Sequence, residues 1–207
     1  MKLVIFGATG NTGIELVQQS LEKEYAVTAF VRDPARLPIE HERLTVAVGD
    51  IFDAAGVAKS IENHDAVICA LGSGASFMKN EVRTAGTKNI ILGMQQHGVK
   101  RLIVVSAMGT GDSWQRLSMF HKLIYGVLMK NIREEHEKQE SAVKASQLDW
   151  TIVRPTGLND NAGTGSYNVG EDIEVGSSAI SRADVADLIV KHIDRNDLVG
   201  KAVTITT

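Results

Sequence analysis

A single cysteine in 207 residues has nothing to pair with, so Cys69 cannot belong to a disulfide framework within the chain. It lies in the apolar run Ala66-Val67-Ile68-Cys69-Ala70, where a buried structural thiol is expected rather than a reactive one. An excess of one charge is missing too: 22 Lys and Arg stand against 25 Asp and Glu, net −3, and no bulk basicity argues for nucleic acid. Long hydrophobic runs are absent. The opening run Lys2-Leu3-Val4-Ile5-Phe6 is far too short for a signal-peptide core or a membrane span, so it is read as part of the fold. These absences lead to the expectation of a cytoplasmic protein with no membrane and no nucleic-acid partner. No metal site is expected. Repeats, low-complexity tracts and interdomain linkers are also missing, and 43% hydrophobic with 23% charged residues is an ordinary globular composition. One substantial core, hence a single domain over 1–207, is expected.

What is present is alternation. Apolar runs with strand character fall at 3–6, 26–31, 44–48, 66–70, 102–105, 151–153 and 202–205. Helical patterns fall between them, at 12–23, 54–60, 80–97, 115–131, 133–146 and 182–195. Such alternation predicts an α/β fold: a Rossmann-like, doubly wound parallel sheet flanked by helices. Ser181 with Asp184 resembles a capping box opening the last helix, with Asp where Glu or Gln is usual. The polar stretch 157–170 reads as a functional loop. Substrate loops are therefore expected at about 73–80, 107–132 and 156–170.

The first run breaks directly into Gly7-Ala8-Thr9-Gly10-Asn11-Thr12-Gly13. A turn after a buried parallel strand needs residues without a Cβ if its backbone is to approach a phosphate. Gly7 then supplies the tight turn, Gly10 the close approach and Gly13 the contact between helix and strand. Thr9, Asn11 and Thr12 complete a cradle at a helix N-terminus, whose free N–H groups and positive dipole end suit a pyrophosphate. The competing reading is a purely structural glycine turn. At the end of the second strand, Val31-Arg32-Asp33-Pro34-Ala35-Arg36 places Arg32 where a 2′-phosphate would lie, with Arg36 near enough to add a second guanidinium. That favours NADP(H) over NAD(H). The alternatives are that both arginines are solvated surface charges and that Asp33 serves a ribose hydroxyl. Asp50 and Ile51 follow the third strand and Leu71-Gly72 the fourth, at strand ends where Asp50 is expected to face the adenine amine and Leu71-Gly72 to border the ribose.

These corners, with Val48-Gly49-Asp50, Asp65-Ala66-Val67-Ile68, His97-Gly98-Val99, Ser106-Ala107 and Gly165-Ser166-Tyr167, resemble the atypical short-chain dehydrogenase/reductases of the NmrA-like NAD(P)-binding family. Within it, the likeness is to the flavin and biliverdin-IXβ reductase branch and spans nearly the whole chain. The resemblance implies an active-site serine at Ser106, hydrogen-bonding substrate or nicotinamide amide, or else merely capping a strand end. It also implies that Arg154-Pro155-Thr156 turns beside the nicotinamide, with Pro155 and Thr156 at the cofactor. The branch carries a histidine where this chain has Thr156, which tells against a bilin as natural substrate. The superfamily's Tyr-x-x-x-Lys pair has no counterpart at the right spacing: Tyr125 is followed by Met129 and only then by Lys130. Tyr125 therefore reads as packing. His136 stands near the place of the helix lysine, either orienting the cofactor or merely exposed.

Without a positioned tyrosine and lysine, reduction of an isolated carbonyl is poorly served, because its alkoxide needs a proton. Acceptors that spread charge over a π-system need less. The expected activity is an NADPH-dependent reductase acting on a small-molecule acceptor, a flavin or else a bilin or quinone, as monomer or weak homodimer. Phe77, Met78, Met108, Trp114 and Met119 could form an apolar platform, or be ordinary packing. Leu117, Phe120, Ile124, Leu128 and Ile132 make a stripe at helical spacing, read as core or the inner face of a lid. The alternative class is a non-catalytic redox sensor that binds NADP(H); an epimerase with bound nicotinamide is disfavoured by the missing pair.

Overall fold

The computed structural model describes residues 1–72, 81–116 and 130–207. Ten strands occur among them: β1 Lys2–Phe6, β2 Ala26–Val31, β3 Leu44–Val48, β4 Ala66–Cys69, β5 Arg101–Val105, β6 Asp149–Pro155, β7 Gly157–Asn159, β8 Asn168–Gly170, β9 Ala179–Ser181 and β10 Lys201–Thr206. The helices are α1 Asn11–Glu22, α2 Ala54–Ile61, α3 Val82–His97, α4 Lys130–Lys144 and α5 Arg182–His192. Eight strands form one sheet in the order β3-β2-β1-β4-β5-β6-β10-β8, parallel throughout except for β8, which runs antiparallel to β10 along its edge. β7 and β9 pair separately as a small parallel ribbon.

The central strands form because their side chains are apolar on both faces, as a doubly covered parallel sheet demands. Along β1, Leu3 and Ile5 join one core with Leu16, Val17, Val185 and Ile189, from α1 and α5. Val4 and Phe6 join the other with Val57, Ile61, Ile90, Met94 and Val143, from α2, α3 and α4. β4 and β5 divide in the same way, Ile68 and Ile103 to the first core, Val67 and Leu102 to the second. Each such fully buried side chain contributes about 1.5–3 kcal/mol. The sheet is thus doubly wound. The order in which strands are added reverses between β1 and β4, and the crevice beyond their carboxyl ends is where such sheets bind ligands.

Three expectations need correction. The stretch 157–170 is not simply a loop, since β7 opens it and β8 closes it, and β9 was not anticipated. These strands have three residues each, too short for a period of two to show. The expected helices 115–131 and 133–146 are not divided at residue 132: α4 begins at Lys130 and runs without a break through Ile132 and Arg133. At the other end, Gly111–Arg116 is a 3-10 helix rather than the start of an α-helix. Loop 73–80, with Phe77 and Met78, and the segment 117–129, with Tyr125, Met119 and most of the apolar stripe, lie outside the described residues. Among the described residues no helix is long and apolar enough to cross a membrane, and no cluster of His, Cys, Asp and Glu could hold a metal.

Candidate active site

The glycine turn after β1 divides its three glycines into two kinds. Gly7 sits at φ +85°, and a Cβ there would strike the Ala70 carbonyl oxygen at the end of β4. A Cβ on Gly13 would overlap the Gly7 carbonyl oxygen and come within 2.8 Å of the Ala8 Cα. Protein atoms therefore require both. Gly10 differs: its nearest obstacle is the Gly7 carbonyl oxygen at 3.4 Å, an ordinary contact. The open side of Gly10 is the side a ligand would take. Gly10 is also the N-cap of α1, makes no side-chain cap, and has no acid after it in the first turn. The helix thus opens with its N–H groups of Asn11, Thr12 and Gly13 turned to the crevice, Gly10 and Asn11 exposed, Thr9 and Thr12 half-buried.

At the end of β2, Asp33 is occupied. Its Oδ1 accepts from the Ala35 N–H at 3.1 Å and caps the 3-10 helix Pro34–Arg36. The side chains of Arg32 and Arg36, both exposed, make no hydrogen bond or ion pair among the described residues. The corner therefore offers two guanidinium groups and a carboxylate turned to its own backbone. Asp50 behaves like Asp33, accepting from the Phe52 N–H at 2.9 Å, so one of its oxygens shapes the turn after β3. Asn89 on α3 holds that turn through the Ile51 carbonyl at 2.8 Å. At Gly86, α3 comes so close that a Cβ would lie 2.5 Å from Ile51 and 2.7 Å from Leu71. Ile51 and Leu71 are thereby set against one another as an apolar wall, with exposed Gly72 beyond.

The carboxyl ends of β5 and β6 hold a buried polar network. Ser106, 4% exposed, donates its hydroxyl proton to Glu140 Oε1 at 2.7 Å. The same oxygen accepts from Arg154 Nε at 2.9 Å, and Glu140 Oε2 accepts from Arg154 Nη2 at 2.6 Å. Arg154 is wholly buried and also reaches Asp112 Oδ1 at 2.8 Å. Burial works against its charge, but the bonds to Glu140 and Asp112 outweigh it and raise its pKa further. Asp112 is held below the usual carboxylate range, chiefly by its bond from Arg154. Lys144 approaches Glu140 from the surface at 3.7 Å. His136 Nδ1 lies 3.4 Å from Ser106 Oγ, and burial, aided by the nearby Arg83 charge, pushes the imidazole down to about 3. It is neutral at physiological pH and buried, not exposed.

The Arg154-Pro155-Thr156 turn is pinned from both sides, with the Met108 N–H donating to the Pro155 carbonyl at 2.9 Å and the Thr156 N–H to Ile205 at 3.2 Å. The Thr156 Oγ1 is buried without a hydrogen-bond partner among the described residues. Met108 is core, its sulfur accepting from the Thr204 hydroxyl at 3.6 Å, so it offers no platform. Trp114 has one ring face under the Arg133 guanidinium, 4.2 Å away. Tyr167 donates its hydroxyl to Asp187 at 2.7 Å, and burial with that carboxylate raises its pKa, so it is no acid near neutrality.

The structure thus brings Ser106, Pro155 and Thr156 to one end of the crevice, the glycine turn to its middle, and Arg32, Arg36, Asp50, Ile51, Leu71 and Gly72 to the other strand ends. It adds Glu140 and Asp112, which sequence reasoning missed. Spacing alone gave no signal for them: α4 buries Glu135, His136, Gln139 and Glu140 with only one aliphatic residue, Val143, so the face that packs inward is polar. Its neighbours are polar as well, Thr84 bonding Glu135 at 2.9 Å and Thr87 bonding Gln139 at 2.9 Å.

Comparison with known proteins bears on the family and the fold. A family model described as NAD(P)H-binding matches residues 7–196. The chain is 26% identical to an uncharacterised sugar epimerase of Bacillus subtilis, over 100% of this chain and 94% of that protein. Among solved structures, an anaerobilin reductase from Escherichia coli O157:H7 superposes with a TM-score of 0.83 at 27% identity, covering 100% of this chain and 97% of the other. A short-chain dehydrogenase/reductase from Veillonella parvula, solved in complex with NADP, shares the fold with a TM-score of 0.84 at 20% identity, covering 100% and 94%.

Proposed function

The chain belongs to the NAD(P)H-binding family, and from that premise we propose that it is an NADPH-dependent reductase passing hydride to a conjugated acceptor, a flavin in the first place. The observation that supports this reading most is the direction of the Ser106 proton. A hydroxyl has one proton, and Ser106 gives it to a carboxylate that Arg154 fixes on both oxygens. Ser106 therefore presents lone pairs to the crevice and accepts rather than donates. An acceptor there suits the N–H of a nicotinamide carboxamide, which orients the ring for transfer. NADPH, when bound, supplies the hydride.

The groups around Ser106 are poor acids. His136 is already deprotonated, and Arg154 is held in its charged form by two carboxylates. An alkoxide forming at this place would find no donor of suitable strength among the described residues, whereas a flavin or linear tetrapyrrole takes hydride into a π-system and collects its proton from water. The structural neighbour named as an anaerobilin reductase supports a reductase rather than an epimerase. Arg32 and Arg36, with Asp33 turned away, support NADPH over NADH.

The test is oxidation of NADPH followed by its absorbance, with FMN, FAD, biliverdin and a quinone as acceptors. Turnover with at least one is expected, slowed by deuterium at C4 of NADPH. Ser106→Ala should lower kcat through nicotinamide placement, while Tyr125→Phe leaves turnover nearly intact. Tight binding of NADPH without reduction of any acceptor would replace the enzyme by a redox sensor.

A further inference from the structure

Three segments far apart in sequence meet at the opening of α1. Asn11, the first residue of that helix, donates from Nδ2 to Asp160 Oδ1 at 3.3 Å. Arg182, the first residue of α5, donates from Nη1 to the same oxygen at 2.6 Å. One carboxylate oxygen thus takes the side-chain amide of the first residue of α1 and the guanidinium of the first residue of α5. The first turn of α1 contains no acid of its own, so the fold imports this one from the segment after β7.

Arg182 is not free to wander. Its backbone follows the cap of α5, where Ser181 Oγ accepts from the Asp184 N–H at 3.0 Å, and the helix is tied to α1 by Gln19 Nε2 donating to the Ala183 carbonyl at 3.0 Å. The Arg182 side chain is 22% exposed, the Asp160 side chain 69%. The guanidinium is seated in the protein and the carboxylate lies over it from outside. An exposed pair of this kind is worth little, so it opens at small cost. The bound pyrophosphate of a dinucleotide carries two charges to the same spot, against the single charge of Asp160.

We infer that Asp160 is a stand-in anion that the cofactor pyrophosphate displaces, and that Arg182, released from it, becomes a pyrophosphate ligand together with Asn11. This rests on the pyrophosphate lying at the α1 turn. It makes Asp160 a competitor that weakens cofactor binding and Arg182 a contributor that strengthens it, whichever ribose the cofactor carries.

A purely structural pair makes the opposite forecast, with both side chains steadying the segment after β7 and either substitution harming binding. Titration of NADPH and NADH by fluorescence, using Asp160→Asn, Arg182→Gln and Arg182→Lys, separates the two. Asp160→Asn is expected to tighten both cofactors severalfold. Arg182→Gln is expected to weaken both by about tenfold or more, the worth of a charge-assisted hydrogen bond, with partial recovery in Arg182→Lys. Adenosine 2′-monophosphate, which lacks the pyrophosphate, is expected to bind all variants alike. Weaker or unchanged binding in Asp160→Asn overturns the inference, as does an Arg182→Gln loss confined to NADPH or absent. A Gly10→Val protein that binds normally would instead overturn the placement of the pyrophosphate itself.

Discussion

Replacing His136 should flatten the acid side of the stability curve. The imidazole is buried beside Ser106 Oγ, with Arg83 from α3 adding positive charge and Gln139 on its own helix giving back part of the loss. Its pKa falls from 6.5 to about 3, so below the free value the unfolded chain binds a proton that the native state refuses. Stability from this group is therefore intact above the unfolded pKa and erodes as pH falls from 6.5 toward about 3. At 1.36 kcal/mol per unit, the loss between about pH 7 and about pH 5 is roughly 2 kcal/mol. Urea unfolding of wild type and His136→Gln at both pH values isolates it, because every carboxylate contribution is common to the pair and cancels in the difference. The variant should lose about 2 kcal/mol less on acidification, read from the midpoint at unchanged slope. Equal losses in the two proteins would refute the claim that this imidazole is held neutral by burial.

Gly10→Val should abolish NADPH binding in a protein that still folds, since only the 3.4 Å contact to Gly7 opposes a Cβ there. Gly13→Ala should destabilise the fold itself, visible as a lowered thermal midpoint without ligand, because its Cβ overlaps the Gly7 carbonyl. Arg32→Ala should weaken NADPH by about tenfold or more and hardly touch NADH in parallel titrations, because only the former has a 2′-phosphate. Glu140→Gln should cost about 3–5 kcal/mol in urea unfolding by leaving the Arg154 charge buried without its main counterion.

The sheet was legible because its strands advertise themselves. Runs such as Leu3-Val4-Ile5-Phe6 and Ala66-Val67-Ile68-Cys69 are apolar on both faces, and only a strand covered on both sides can use them. Every long strand was anticipated to within two residues at either end. The roles of Gly7 and Gly13 were legible for a related reason: a parallel strand followed by a turn and a helix leaves little choice about which position crowds which. β7, β8 and β9 were not, since three residues carry no periodicity and their sequences, Gly157-Leu158-Asn159 among them, look like loop. α4 misled in another way. Its pattern of charges reads as a solvated helix, yet four of its polar side chains are buried, each meeting a polar partner or ion from another element or its own.

That last case marks the boundary between what spacing can and cannot reveal. Position along a strand fixes which residues reach the carboxyl edge of the sheet, and together with the family resemblance that was enough to name Ser106 and the Arg154-Pro155-Thr156 turn. Whether Ser106 gives or accepts a proton depends on Glu140, 34 residues later on a helix whose rotation about its axis is set by packing. The same holds for Asp160, 149 residues from Asn11. In both places the decisive partner is an acid brought in by tertiary contact, and in both it changes the chemistry of a residue already identified: Glu140 turns a hydroxyl from donor to acceptor, and Asp160 fills an anion site until a stronger anion arrives. Residue type and edge position locate such a site; the sign of each group's action comes from what the fold sets beside it.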